Sequence, residues 1–174
     1  PSLNYLMNSA YSAGARTHTN SWGSSAASQQ GKYDSEAEDV DDRANYYDKY
    51  YNGREGLTIL FAAGNDGPAS GTVSPPATAK NSLSVGNHQN RYSGAPDNLM
   101  SGSSRGPTDD GRIKPDIIAP GGYVRSCRAQ EATDTSGSTW SNSWYLEYTG
   151  TSMATPNAAG AAAMVREYLE EIAQ

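Results

Sequence analysis

The feature that most constrains the fold is an almost continuous apolar segment, residues 57–62 (Leu-Thr-Ile-Leu-Phe-Ala), bounded by Gly56 and Gly64. A strand that is apolar at successive positions, and not only at alternate ones, is typical of a parallel sheet covered on both faces. Further short strands are predicted at residues 15–21, 81–86 and 116–119. Gly- and Pro-rich turns lie between them.

Three other segments predict helices. Residues 3–13 place apolar side chains at helical spacing and stop before Gly14, a residue type that commonly ends a helix. Residues 35–51 combine acidic residues with apolar positions at three- and four-residue steps. Residues 152–172 predict one long helix whose alanine-rich first half must pack closely against its neighbours. Strands that alternate with helices predict a layered α/β fold.

Composition excludes several classes of protein. The length of 174 residues suits one domain, and the net charge of −6 argues against a nucleic-acid partner, because phosphate binding needs a basic face. No apolar run approaches the ~20 residues of a membrane-spanning helix, so no membrane partner is expected. Cys127, the single cysteine, is interpreted as a buried or half-buried thiol. With only His18 and His88 beside it, neither a disulfide nor a zinc site is expected.

The helix predicted at residues 35–51 has two interpretations. Its acidic residues indicate either a solvated outer face or a calcium site. The segment contains no D-x-D-x-D-G loop of the kind that binds calcium, so the solvated face is preferred. No cofactor is required for the chemistry considered below, and a structural calcium ion cannot be read from this sequence.

The segment with the clearest chemistry is residues 150–156, Gly-Thr-Ser-Met-Ala-Thr-Pro, at the start of the alanine-rich helix. Ser152 lies beside unpaired backbone N–H groups and the positive end of the helix dipole, both of which favour developing negative charge. Pro156 costs little there, because early N–H groups lack helical partners. Taken alone, the segment is equally an ordinary helix N-cap.

A second segment, residues 61–68 (Phe-Ala-Ala-Gly-Asn-Asp-Gly-Pro), places Asn65 just past the end of the buried strand. Open α/β sheets hold ligands at the carboxyl ends of their strands. The side chain of Asn65 is therefore a candidate donor to an oxyanion, with the backbone N–H of Ser152 as the other donor. On its own, Asn-Asp-Gly-Pro is simply a turn.

Together these segments resemble the subtilisin-like serine protease family. Residues 150–156 resemble its nucleophile motif, and residues 62–65 (Ala-Ala-Gly-Asn) resemble its oxyanion segment. Residues 103–107 and 114–121 also resemble family segments in the expected order, and residues 15–23 are most similar to the oxidation-stable alkaline protease group. The resemblance covers residues 3–169 and implies a three-layer α/β fold, with a mostly parallel sheet and helices on both faces.

The resemblance also implies roles for individual residues in a serine endopeptidase. Ser152 would be the nucleophile and Asn65 the side-chain donor to the oxyanion. One wall of the substrate cleft would be formed by Ser21, Trp22 and Gly23, which would pair with the peptide as an added strand. The other wall would be formed by Ala62, Ala63 and Gly64. Small residues on that wall leave space for a bulky side chain before the scissile bond, so large apolar or aromatic P1 residues are expected.

The sequence departs from the family pattern in one important way. In the family the catalytic Asp and His precede the helix with which this chain begins, and no equivalent is present here. Residues 1–174, which begin at Pro1 without an initiator Met or signal segment, are therefore interpreted as the C-terminal part of a peptidase domain. His18 is interpreted as structural and His88 as a surface residue in a polar turn. Without a base, Ser152 is a poor nucleophile, so this polypeptide alone is expected to be inactive.

Four further expectations follow. Residues 102–106 (Gly-Ser-Ser-Arg-Gly) fit the G-x-S-x-G pattern, but Pro107 and the following turn exclude the helix that pattern requires. Met153, next to the nucleophile, is expected to be sensitive to oxidation. A partial sheet exposes apolar surface, so self-association is expected. The family resemblance implies an extracellular or periplasmic location and a protein or peptide substrate. The alternative function is a non-catalytic module that binds peptides or a partner chain.

Overall fold

The computed structural model describes residues 2–50, 56–91, 94–129, 131 and 135–172, with only the backbone described at residues 47–50. Within these residues, three α-helices are present: α1 (Leu3–Ser12), α2 (Ser35–Tyr50) and α3 (Thr151–Ile172). The strands are β1 (Thr17–Asn20), β2 (Thr58–Ala62), β3 (Leu83–His88), β4 (Ile117–Pro120), β5 (Val124–Cys127), β6 (Trp140–Ser141) and β7 (Tyr145–Tyr148). A short 3₁₀ turn covers Ala27–Gln29.

The main sheet contains four parallel strands in the order β1-β2-β3-β4. Its strands run in chain order, so each crossover connection leads to the adjacent strand. The carboxyl ends of β1 and β2 lie side by side, because Asn20 pairs with Phe61. Loops that follow these two strands therefore emerge next to each other at one edge of the sheet.

Strand β2 is buried on both faces, as its apolar sequence predicts. Ile59 and Phe61 belong to the core cluster formed with α1 and α2, whereas Leu60 belongs to the cluster formed with α3. All three side chains are almost completely buried. Burying an aliphatic or aromatic side chain of this size contributes about 1.5–3 kcal/mol, which makes this strand the centre of the fold. The predicted three-layer α/β architecture is confirmed.

The helices lie where the sequence predicts them. Ala154, Ala158 and Ala159 on α3 pack directly on the sheet, and their small size lets the helix axis approach closely. Helix α1 ends before Gly14, whose φ of +96° is the left-handed conformation that glycine accommodates without strain. Tyr51, included in the second predicted helix, lies outside the described residues.

The structure corrects the prediction for the acidic helix at one position. Asp41 is buried, not part of a solvated outer face. Its carboxylate accepts hydrogen bonds from the backbone N–H groups of Lys80 and Asn81 and from the hydroxyl of Tyr33. Burial and Asp41 raise the pKa of Tyr33 to about 12. Asp41 thus joins α2 to the loop before β3. Within the described residues, no group of three or more metal-ligating side chains is found.

Two other expectations are also corrected. His88 is the last residue of β3, not part of a turn, and it is half-buried; its Nδ1 lies 2.5 Å from the carbonyl oxygen of Gln89. Cys127 is exposed, because it lies at the end of β5 in a small antiparallel sheet of order β5-β7-β6 that has little core of its own. No helix follows Gly106 before β4 in the described residues, so the hydrolase-type elbow is absent there.

Candidate active site

Ser152 lies in the first turn of α3 and is half-buried. The preceding loop passes very close to Asn65: a Cβ at Gly150 would lie 3.3 Å from the Asn65 Oδ1. A side chain at this position would require Asn65 to shift by a few tenths of an ångström, so glycine favours this approach. Residues 65 and 152 are therefore on the same side of the molecule, where the end of β2 meets the start of α3.

The amide of Asn65 is oriented by Thr151. The backbone N–H of Thr151 donates to Asn65 Oδ1 at 2.9 Å, and its hydroxyl donates to the same atom at 3.1 Å. A backbone N–H can only donate, so the atom that faces it must be the carboxamide oxygen. This fixes the orientation of the amide and directs Nδ2 away from Thr151. Asn65 is exposed, and no described residue accepts a hydrogen bond from Nδ2.

Ser21 and Ser152 form a reciprocal contact. The hydroxyl of Ser21 donates to the backbone carbonyl of Ser152 at 2.8 Å, and the hydroxyl of Ser152 donates to the backbone carbonyl of Ser21 at 3.3 Å. The second distance is beyond the usual range for O–H···O bonds, so this bond is weak. A carbonyl oxygen is not a base, and this contact leaves the Ser152 hydroxyl protonated.

The segment after Ser21 leads along the surface next to β2. Trp22 is about 42% exposed, and its ring meets Phe61 edge to face, with 5.4 Å between ring centroids. Gly23 passes close to the 75–76 loop, because a Cβ there would lie 3.1 Å from the carbonyl oxygen of Pro75. The next residue, Ser24, donates its N–H to that oxygen at 2.8 Å. The segment is thus anchored at both ends.

The opposite segment consists of Ala62, Ala63 and Gly64. The side chains of both alanines are buried in the protein, and the N–H of Ala63 donates to the carbonyl of Val85 at 3.0 Å. Gly64 has a φ of +110°, and a Cβ there would lie 2.7 Å from Ser104 Oγ. Ala63 is completely buried, so the half-buried Gly64 is the most exposed residue of this segment.

Both histidines of the chain are engaged away from Ser152. His18 Nδ1 lies 2.9 Å from Asn20 Nδ2, so the neutral ring accepts this hydrogen bond. Burial lowers the pKa of His18 below its usual value of 6.5. His88 Nδ1 is bonded to a backbone carbonyl. The geometry is consistent with the structural role expected for His18.

Comparison with known proteins identifies the family. Residues 3–173 match the profile described as the Subtilase family, Peptidase_S8. The chain belongs to the subtilase family. Among curated relatives, serine protease AprX of Bacillus subtilis is 40% identical over 114 residues, covering 63% of this chain and 26% of that protein. The serine protease/ABC transporter B family protein tagD of Dictyostelium discoideum is 30% identical over 235 residues, covering 91% of this chain and 12% of that protein.

Solved structures of other proteins have the same fold. Sphericase superposes with a TM-score of 0.59 at 27% identity, covering 93% of this chain and 46% of that one. The self-cleaved protease domain of PatA superposes with a TM-score of 0.66 at 22% identity, covering 97% of this chain and 52% of that one, and bears on the fold alone. This subtilase chain therefore spans about half the length of these solved structures.

Sequence reasoning misses two residues that shape the site. Thr151 orients Asn65, as described above. Ser104 supports the same loop, because its hydroxyl accepts the N–H of Asp66 at 3.1 Å, and its own N–H donates to the carbonyl of Gly64 at 3.0 Å. The position of Thr151 beside Ser152 is the only available signal, and nothing in the sequence alone connects Ser104 with residue 64.

Proposed function

We propose that this chain supplies the nucleophile and the oxyanion-binding groups of a serine endopeptidase. The observation that carries the proposal is the orientation of Asn65: its Oδ1 is held by Thr151, which leaves the Nδ2 hydrogens available beside the start of α3. The backbone N–H of Ser152 lies in the first helical turn, where such groups lack intrahelical partners. These two donors would hold the negative oxygen of a tetrahedral intermediate.

The proposed reaction is hydrolysis of a peptide bond through an acyl-enzyme. Ser152 Oγ bonds to the carbonyl carbon while its proton passes to a base, and the carbonyl electron pair moves onto the oxygen held by Asn65 and the Ser152 N–H. The oxygen then re-forms the double bond, and the amine leaves with the proton from the base. Water attacks the resulting ester by the same steps and releases the acid.

Among the described residues, the chain has no base in position for this reaction. Its two histidines are bonded elsewhere, and the Ser152 hydroxyl contacts only a backbone carbonyl in this part of the chain. We therefore propose that the base and its carboxylate partner come from a part of the protein outside these 174 residues. The isolated chain is then inactive, and the protein that contains both parts is the enzyme.

A labelling experiment tests this division. The isolated chain and the longer protein are treated with a fluorophosphonate, with Ser152→Ala as the matched control. We expect rapid labelling of the longer protein, none of its Ser152→Ala variant, and negligible labelling of the isolated chain. Rapid labelling of the isolated chain would show that it carries its own base. A longer protein that is not labelled but still binds peptides would favour the alternative of a non-catalytic module.

The proposed substrate is a protein or peptide bound in extended form between two segments, residues 21–23 and 62–64. Both segments are anchored by neighbouring loops. In this proposal the backbone of residues 21–23 pairs with the peptide as an added strand, and residues 62–64 form the facing wall. The second segment carries no side chain larger than a methyl group, which leaves room for a large P1 side chain. We expect cleavage of a peptide library after large apolar or aromatic residues. Cleavage only after Arg or Lys would overturn this preference.

The proposed self-association of the chain uses a second copy as the partner. The last turns of α3 carry an apolar stripe, each member of which is more than half exposed: Met164, Val165, Tyr168, Leu169 and Ile172. Two such stripes facing each other would bury on the order of 1,000 Å², the lower limit for a specific interface. Because both copies carry the same stripe, a two-fold arrangement covers both at once.

The location and ion requirements of the protein are proposals of the same kind. The similarity to subtilisins and alkaline proteases supports an extracellular or periplasmic enzyme. In the part of the chain that the structure describes, no helix is long and apolar enough to cross a membrane. We propose that the chemistry needs no cofactor, since hydroxyl, amide and backbone groups supply the nucleophile and the oxyanion donors.

A further inference from the structure

The first turns of α3 contain a proline whose effect falls on the nucleophile. In an α-helix the carbonyl of each residue accepts a hydrogen bond from the N–H four residues later. The residue four positions after Ser152 is Pro156, which lies inside the helix and has no N–H. The carbonyl of Ser152 therefore lacks the donor that a regular helix would provide.

Ser21 supplies that donor from another part of the chain. Its hydroxyl donates to the carbonyl of Ser152 at 2.8 Å, a normal length for a strong O–H···O bond. The Ser152 hydroxyl returns a longer bond to the carbonyl of Ser21. The first bond constrains the backbone of Ser152, and the second, weaker bond favours one orientation of its side chain.

Ser21 is itself held on a rigid element. It directly follows β1, whose last residue, Asn20, is almost completely buried. The Asn20 side chain donates to the carbonyl of Leu60 at 3.1 Å, which ties the end of β1 to β2. Ser21 therefore follows β1, and Asn65 lies in the loop that follows the adjacent strand β2.

We propose that the hydroxyl of Ser21 positions the nucleophile. It donates a hydrogen bond to the Ser152 carbonyl, which has no helical donor because Pro156 lacks an N–H. This bond keeps the Oγ and N–H of Ser152 aligned with Asn65. This role belongs to the side chain and is separate from the pairing of the Ser21 backbone with a peptide. The inference rests on the proposed function, because it assigns a role in the same reaction.

The first test compares Ser21→Ala with Ser21→Thr in the longer, active protein. Both variants keep the backbone that would pair with substrate, but only Thr keeps a hydroxyl. A hydrogen bond of this kind contributes about 0.5–1.5 kcal/mol, so Ser21→Ala should lower kcat by about twofold to 13-fold with KM nearly unchanged. Ser21→Thr should retain most of the wild-type kcat. A rise in KM with kcat unchanged would show that Ser21 acts only on substrate binding and would overturn the inference.

The second test is a double-mutant cycle with Pro156→Ala. This substitution restores a backbone N–H that can donate to the Ser152 carbonyl, so the Ser21 hydroxyl becomes redundant. In this background Ser21→Ala should lower kcat by less than about twofold. An equal loss in both backgrounds would overturn the inference. Ser152→Ala separates the two proposals. If this variant keeps its peptidase activity, the proposed function is wrong. If Ser152→Ala is inactive but Ser21→Ala is fully active, only the positioning role is wrong.

Discussion

The substitution Asn65→Asp tests the oxyanion role with little change of shape. Asp and Asn have nearly the same size, and a carboxylate oxygen can still accept both hydrogen bonds from Thr151, at 2.9 and 3.1 Å in the wild-type structure. What is lost is the Nδ2 donor, which is replaced by an acceptor that carries negative charge. The substitution therefore separates the two ends of the amide: the structural end is kept and the proposed catalytic end is removed.

The expected loss is in kcat. A hydrogen bond to a charged group contributes about 1.5–3 kcal/mol, which corresponds to about a tenfold to 150-fold decrease in kcat. Repulsion between the new carboxylate and the developing oxyanion adds to this loss. Because Asn65 is exposed and its bonds to Thr151 are kept, the free energy of unfolding should change by less than about 1 kcal/mol.

The assay is steady-state hydrolysis of a chromogenic peptide by the longer protein, with thermal unfolding of the same samples. Asn65→Ala is the matched control, because it removes the bonds to Thr151 as well as the donor. We expect Asn65→Ala to lose both activity and stability, and Asn65→Asp to lose activity alone. A kcat for Asn65→Asp within about twofold of wild type, beside an inactive Ser152→Ala, would refute the assignment of Asn65 as an oxyanion donor.

Three further predictions concern other residues. Met153 is half-buried next to Ser152, so peroxide should lower the activity of the longer protein, and Met153→Leu should prevent the loss; an equally sensitive Leu variant would contradict this. Burial lowers the pKa of His18, so the unfolded chain binds its proton more readily; the thermal midpoint should fall as the pH drops through about 6.5, and fall less in His18→Gln. Leu169→Glu should convert a self-associated isolated chain into a monomer by light scattering, whereas the exposed substitution Glu167→Gln should not.

The sequence correctly predicts the elements in which many neighbouring residues favour the same secondary structure. The apolar run at β2 is typical of a buried strand, and the alanines of α3 favour a close neighbour; both elements are confirmed with small shifts of their ends. The small sheet of β5, β6 and β7 is not predicted, because its strands have two to four residues and mostly exposed side chains. Periodicity carries almost no signal over such lengths.

Burial of single polar residues is the other source of error. Asp41 looks like its acidic neighbours in sequence, yet it faces inward because three donors from outside the helix meet its carboxylate. A propensity or charge pattern describes the average of a helix face and cannot identify the one member with partners elsewhere. The prediction of a turn at His88 is wrong for a similar reason. The polar residues around His88 are typical of a turn, although β3 continues to His88.

The candidate site shows why the chemistry of a residue can be predicted before its contacts. The family motif nominates Ser152 and Asn65 as candidates, but it does not show how their relative orientation is set. That orientation depends on hydrogen bonds between residues far apart in the chain: Thr151 with Asn65, 86 positions away, and Ser152 with Ser21, 131 positions away. Such pairs meet because parallel strands bring their carboxyl ends to one edge, where the loop into α3 also arrives. Local sequence is therefore informative about which atoms could react, whereas the packing of α3 across the sheet determines whether they are aligned.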